Sequence, residues 1–132
     1  MPNVPRTIEQ QLAGLGAGHP DLRLLILFGS RARGDARKQS DWDLGYLAEP
    51  GLDADALLLD VVNTLATDRV DLVDLARAGA QLRFRAARDG QVLHEAEPGL
   101  FARFWVEAVG FWCDVEPLLR TGYAEALARL RR

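Results

Sequence analysis

Two aspartates one residue apart lie near the end of the segment from Phe28 to Leu44 (FGSRARGDARKQSDWDL). Alternate side chains of a β-strand point to the same face, so Asp41 and Asp43 would share a face, about 6.6 Å apart along the strand. Like charges held in this way repel each other, so a positive ion is expected between them. Magnesium fits, because it takes one or two protein carboxylates together with phosphate oxygens and water. The alternative is a solvated aspartate pair at a strand edge.

A glycine–serine pair, Gly29-Ser30, lies at the end of the apolar run LRLLILF. A strand that turns at a glycine into a helix leaves unpaired backbone N–H groups at the helix start, and these suit a phosphate. Gly29 leaves room for the phosphate to approach the backbone, and the Ser30 hydroxyl can donate to a phosphate oxygen. Arg31 and Arg33 add positive charge nearby. The alternative is a turn without a ligand, since Gly-Ser turns between strands and helices are common.

A third carboxylate, Asp71, lies in the later apolar segment RVDLVDLA. A carboxylate between Val70 and Leu72 is costly to bury unless it is paired or bound to a cation. Three carboxylates on neighbouring strands can hold two magnesium ions, one at the attacking oxygen and one at the nucleotide phosphates. Asp74 competes for this role, although on a regular strand it points to the opposite face from Asp71. Together, the turn and the carboxylates predict phosphoryl transfer from a nucleoside triphosphate.

The elements that must position these residues form an α/β pattern in the order α-β-α-β-α-β-α-β-α, which predicts a small, mostly buried sheet. The predicted strands cover residues 22–28, 41–48, 69–76 and 91–95. The predicted helices comprise one with Pro5 in its first turn, a short helix or turn over 30–36, helices over 53–66 and 80–88, and a helical segment from Pro98 to the end that Pro117 divides in two.

The C-terminal segment carries a long apolar stripe. Its members repeat at steps of three or four and are Phe101, Trp105, Ala108, Trp112, Val115 and Leu119. Such a helix can cover the sheet, or it can present an interface to a partner, because aromatic residues are enriched in interface cores.

Composition places these features in one domain of 132 residues, with a core at about 22–95 and C-terminal helices at about 98–131. The net charge of −3 argues against nucleic acid as a direct ligand. Cys113 is the one cysteine, which excludes an internal disulfide and a cysteine-based zinc site. No apolar run approaches the ~18 residues that span a bilayer, so we expect a cytoplasmic protein without membrane contact.

The motifs together resemble a known family. Gly29-Ser30, Arg33-Gly34, Ser40-Asp41-x-Asp43-Leu44 and Val70-Asp71-Leu72-Val73 occur in the order found in minimal nucleotidyltransferases (MNT) of the DNA polymerase β-like superfamily. The resemblance covers about residues 22–95, and the C-terminal helix fits as well. It implies the polymerase β-like nucleotidyltransferase fold, a small mixed β-sheet flanked by helices with a C-terminal helical segment.

The resemblance also implies roles for individual residues. Gly29 and Ser30 would hold the triphosphate, Asp41 and Asp43 would bind both metal ions, and Asp71 would bind the catalytic metal and help to activate the incoming hydroxyl. The family pattern favours Asp71 over Asp74 for this role. Arg33 matches the basic residue of the family's Gly-Ser-x-Ala-Arg-Gly run, where it either neutralises phosphate charge or is solvated.

The acceptor of the transferred group follows from the resemblance and from the length of the chain. Larger relatives carry a second domain for the acceptor, and 132 residues leave no room for one. Minimal nucleotidyltransferases are often antitoxins that pair with HEPN-domain ribonuclease toxins and move AMP from ATP to a toxin tyrosine. The resemblance therefore implies a Mg²⁺-dependent adenylyltransferase with ATP as substrate, in a hetero-oligomer with a HEPN toxin. The alternatives are a non-catalytic antitoxin that acts by binding, and a subunit of a small-molecule (aminoglycoside-type) nucleotidyltransferase.

Overall fold

A four-stranded mixed sheet flanked by helices forms the computed structural model of the chain, which describes residues 6–131. The strands are β1 (Leu22–Phe28), β2 (Trp42–Ala48), β3 (Val70–Asp74) and β4 (Gln91–Glu95). The helices are α1 (Ile8–Ala13), α2 (Ser30–Arg33), α3 (Ala54–Leu65), α4 (Ala80–Asp89) and α5 (Leu100–Leu130), with a 3₁₀ turn at Gly14–Gly18. The predicted fold class is confirmed. The predicted Pro5 in the first turn of α1 lies outside the described residues, and Thr7 caps that helix.

The strand order β3-β2-β1-β4 places β1 inside the sheet, antiparallel to both of its neighbours, whereas β3 is parallel to β2. The continuous apolar run of β1 is explained by burial on both faces. Leu25 and Leu27 pack in the core that includes Leu57 of α3. Ile26 and Phe28 pack on the other face in the core beneath α4 and α5.

Helix α5 differs from the prediction that Pro117 divides it, because it continues unbroken through that residue for 31 residues. Proline removes the N–H that would donate to the carbonyl of Cys113, but the helix is exposed there, so water can satisfy that carbonyl. Glu116 and Arg120 form an ion pair that spans the proline, which favours the helical turn.

Helix α5 also extends beyond the core that it packs on. At its start, Leu100, Phe104 and Ala108 are buried, and further along Trp112 stacks on Phe84 of α4 with ring centroids 5.5 Å apart. Every residue from 117 to 131 is exposed. The first third of the helix therefore covers the sheet, which is one of the two predicted roles, whereas its last third has no packing partner within residues 6–131. The interface role stays a prediction. Within the same range, no helix is long and apolar enough to cross a membrane.

Candidate active site

A cleft opens where β1 ends, beside the starts of β2 and β3. It is bounded on its other side by α4. The residues that line it are Phe28, Gly29, Arg33, Asp43, Asp71, Leu82, Arg85 and Asp89. Because β1 and β2 are antiparallel and β2 and β3 are parallel, the end of β1 and the starts of the other two strands meet at one edge of the sheet.

Two of the predicted carboxylates face each other across this edge. Asp43 and Asp71 are partners in the parallel register of β2 and β3, so their side chains leave the same face of the sheet, from backbones about 4.8 Å apart. Burial raises the pKa of Asp43, and the negative charges of Asp71 and Asp41 raise it further. Arg85 and Arg33 oppose that rise without cancelling it. The charged form of Asp43 is therefore disfavoured unless a cation binds beside it.

Asp41 occupies a different position from the one predicted. Strand β2 begins at Trp42, so Asp41 lies in the preceding loop, where it is exposed and does not line the cleft. Its charge still acts on Asp43. Within the part of the chain that the structure describes, no three histidine, cysteine, aspartate or glutamate residues are grouped so that they could hold one metal ion. The structure thus brings Asp43 and Asp71 together and leaves Asp41 at the margin.

The pair of Asp43 and Asp71 fits a magnesium ion. Both offer hard oxygen ligands from one face of the sheet, and Mg²⁺ needs only one or two protein carboxylates when phosphates and water supply the remaining ligands. A bound cation would also offset the repulsion between Asp43 and Asp71, which the nearby arginines oppose without cancelling. Asp74 lies apart from this pair, because it lines a separate pocket with Tyr46 and accepts a hydrogen bond of 3.0 Å from the backbone N–H of Ala76.

Gly29 allows the backbone to approach Asp43. Its φ of 73° and ψ of −157° are strained for a residue with a side chain. A Cβ atom at this position would overlap Oδ2 of Asp43. The Gly29 carbonyl accepts hydrogen bonds of 3.1 Å from the N–H groups of Ala32 and Arg33, which closes the short helix α2 onto the end of β1. Ser30 starts that helix next to the cleft but is not among the residues that line it.

The two arginines of α2 have different roles. The Arg31 guanidinium lies 4.4 Å from the ring centroid of Trp42 and donates to the carbonyl of Ser40 at 2.8 Å. It therefore secures the loop before Asp41 and does not line the cleft. Arg33 does line the cleft, where Nη1 donates to Asp89 at 3.0 Å.

Sequence reasoning missed Arg85 and Asp89, which belong to no motif. With Leu82 they lie on the face of α4 that lines the cleft. Residues three and four apart share a helix face, so their spacing to Leu82 is the signal that could have placed them beside the sheet. The side chain of Asp89 is 7% exposed. Hydrogen bonds from Arg88 and Arg33 lower the pKa of Asp89, although its burial alone would raise that pKa.

Replacement of Asp89 by asparagine is expected to lower the free energy of unfolding by about 1–3 kcal/mol, because the buried side chain at residue 89 would lose its charge-assisted hydrogen bonds with Arg33 and Arg88. Urea denaturation measures this. The stabilisation by Asp89 is present above the ordinary carboxyl pKa and is lost as the pH falls through the lowered folded value, so the two proteins should converge in acid. Asp35→Asn is the control, since its carboxylate is 62% exposed and also contacts Arg33. Equal stability of both variants would contradict a structural role for Asp89.

The mixed sheet with this edge cleft defines a nucleotidyltransferase domain. The family described as polymerase beta, nucleotidyltransferase matches residues 10–98, and the chain belongs to that family. The predicted membership of the DNA polymerase β-like nucleotidyltransferase superfamily is thereby confirmed.

Relatives share this fold. The chain is 35% identical to the protein adenylyltransferase MntA of Aphanizomenon flos-aquae (strain 2012/KM1/D3), and the match spans 61% of this chain and 61% of that relative's length. It is similar to one chain in a crystal structure of a toxin–antitoxin with AMP-PNP, with a TM-score of 0.75 and 26% identity over 90% of this chain and 98% of that one. A further similar chain comes from the tri-AMPylated Shewanella oneidensis HEPN toxin in complex with MNT antitoxin, with a TM-score of 0.69 and 25% identity over 91% and 96% of the two chains.

Proposed function

We propose that this protein is a magnesium-dependent adenylyltransferase that moves AMP from ATP to a tyrosine hydroxyl of a partner HEPN toxin, and so acts as its antitoxin. The observation that carries the proposal is the opposition of Asp43 and Asp71 at the edge of the sheet, against Gly29. The similarity to a protein adenylyltransferase and to toxin–antitoxin complexes supports it. In this proposal the whole chain is one catalytic domain, with its core at about 22–95 and α5 as a C-terminal extension.

Asp43 and Asp71 would hold the metal ion, with Asp41 close by, and the ion would neutralise phosphate charge and make the acceptor hydroxyl more acidic. The acceptor oxygen attacks the α-phosphorus of ATP, the bond from that phosphorus to the bridging oxygen of the β-phosphate breaks, and pyrophosphate leaves. Asp71 is exposed, so an acceptor from solvent can reach it and give up its hydroxyl proton there.

The turn after β1 would bind the triphosphate. Gly29 keeps the backbone open to it, and the Ser30 hydroxyl can donate to a phosphate oxygen. Arg33 faces the cleft and is oriented by Asp89 and Asp35, at 3.0 and 3.3 Å. A pre-oriented cation of this kind stabilises phosphate charge at little cost in side-chain entropy.

The direct test supplies the protein with Mg²⁺, ATP labelled at the α-phosphate, and the product of the neighbouring gene. We expect the label on a tyrosine of the partner and a mass gain of one or more AMP units, both of which vanish without Mg²⁺. Formation of a stable, neutralised complex without label would instead support the non-catalytic antitoxin.

The distal part of α5 is the surface that we propose for the partner. Leu119, Tyr123, Leu127 and Leu130 are between 41% and 81% exposed. Their spacing places them on one face of the helix, along about 17 Å of its length, and we name this face the distal stripe. Exposed leucine and tyrosine side chains in one line are costly to leave in water and typical of interface cores.

Leu119→Asp is expected to weaken partner binding by at least about tenfold, since it places a charge within the distal stripe. Calorimetry with the purified partner measures the dissociation constant. Ala128→Asp adds the same charge on the other side of the exposed helix and should leave binding within about twofold. Equal binding by the two variants would show that the partner packs elsewhere.

A further inference from the structure

Arg85 differs from the other cations around the cleft. Three carboxylates (Asp43, Asp71 and Asp89) and two guanidinium groups (Arg33 and Arg85) line the cleft. Arg33 is engaged by Asp89 and Asp35. Within residues 6–131, the Arg85 side chain has no hydrogen bond and no acidic partner within 4.0 Å, although its charge lowers the pKa of Asp43.

The neighbouring arginines of α4 have structural roles that Arg85 lacks. Arg83 donates to the carbonyl of Leu75 at 2.7 Å and lies over the ring of Phe104. Arg88 donates twice to Asp89. Arg85 is exposed and lines the cleft, but it lies too far from the carboxylates of the cleft to form a direct ion pair with them. A guanidinium without a partner favours an anion between itself and a cation bound to the carboxylates, and its paired N–H groups match a phosphate.

The placement of the two cations suits a chain of phosphates. Arg33 is anchored on Asp89, which lies four residues after Arg85 on α4. Both guanidinium groups therefore lie along the α4 side of the cleft. Two cations on one side of a cleft can contact different phosphate groups of one polyphosphate.

We propose that Arg85 binds the β- and γ-phosphates of the nucleotide, the part that leaves as pyrophosphate. This inference rests on the proposed function of the cleft. The α-phosphorus must lie by Asp71, where the acceptor arrives, which leaves Arg85 for the phosphates beyond it. Negative charge accumulates on the leaving pyrophosphate as its bond to the α-phosphorus breaks, and a cation there stabilises the transition state.

The test is calorimetric binding of Mg·ATP, Mg·pyrophosphate and AMP to the protein without partner, so that no turnover occurs. Arg85→Gln is expected to weaken binding of ATP and pyrophosphate by about 10- to 100-fold and to leave AMP within about twofold. Arg85→Lys keeps the charge but loses the fork of donors, and should fall between Arg85→Gln and the native protein. Arg77→Gln is the matched control, because it removes the same charge from a side chain that is 90% exposed beside Asp74 on the other face of the sheet.

The outcomes separate this inference from the proposed function. If the native protein and Arg85→Gln bound ATP equally well, the role of Arg85 would be overturned and the proposed function would stand. A loss of AMP binding as large as that of ATP would also overturn it, since Arg85 would then contact the nucleoside or the α-phosphate. Native protein that binds neither ATP nor pyrophosphate would overturn both.

Discussion

Asp43→Asn is expected to lower AMP transfer by at least about a thousandfold, equivalent to about 4 kcal/mol of transition-state stabilisation. Asparagine keeps the shape of the side chain but removes the charge that, with Asp71, would hold the metal ion. Single-turnover transfer of labelled AMP measures the effect. Asp74→Asn is the matched control, because Asp74 lies on the same β3 strand as Asp71 but lines a separate pocket. A variant at Asp43 that keeps more than about a tenth of the native rate would contradict its role.

The same substitution should not destabilise the metal-free protein. Burial, Asp71 and Asp41 raise the pKa of Asp43, so its negative charge opposes folding. A carboxyl with a raised folded pKa contributes stability at low pH that is lost as the pH rises through the folded value. We therefore expect Asp43→Asn to unfold at or above the native melting temperature at neutral pH, and the difference to vanish in acid. Lost transfer with an intact fold separates chemistry from structural damage.

Gly29→Ala is expected to lower transfer by at least about a hundredfold and the free energy of unfolding by about 1–3 kcal/mol. The added methyl would both strain the backbone at a φ of 73° and displace the Asp43 carboxylate. Transfer assays and urea denaturation measure the two effects separately.

Gly34→Ala is the control for backbone strain. Its φ is 81°, but a Cβ atom there would meet nothing within 4 Å. We expect a similar loss of stability with transfer close to the native rate. If Gly29→Ala transferred AMP as fast as Gly34→Ala, the close approach of residue 29 to Asp43 would have no catalytic importance.

Local pattern predicted the strands and helices that carry the candidate site. The apolar run that stops at Gly29 predicted β1 with its observed bounds, since a strand buried on both faces needs no alternation. Alternation likewise predicted that Asp71 and Asp74 diverge, and the two residues line different pockets. Periodicity is a property of the sequence itself, so it can be read without knowledge of the tertiary structure.

Features that depend on how the helices and strands pack could not be predicted from local sequence pattern. The opposition of Asp43 and Asp71 depends on the parallel register of β2 and β3. The positions of Arg85 and Asp89 depend on how α4 docks against the end of β1. The prediction that Pro117 divides α5 was wrong for a related reason. A proline destabilises a helix less where the carbonyl that loses its hydrogen bond is exposed to water.

The proposed metal ion can be located directly by crystallising the protein with Mn²⁺ and a non-hydrolysable ATP analogue and measuring anomalous scattering. We expect a manganese peak about 2.2 Å from a carboxylate oxygen of Asp43 and from one of Asp71, with a phosphate oxygen completing the contact. Manganese bound elsewhere, or nucleotide bound with those two carboxylates turned away from the ion, would contradict the assignment of this cleft as the active site.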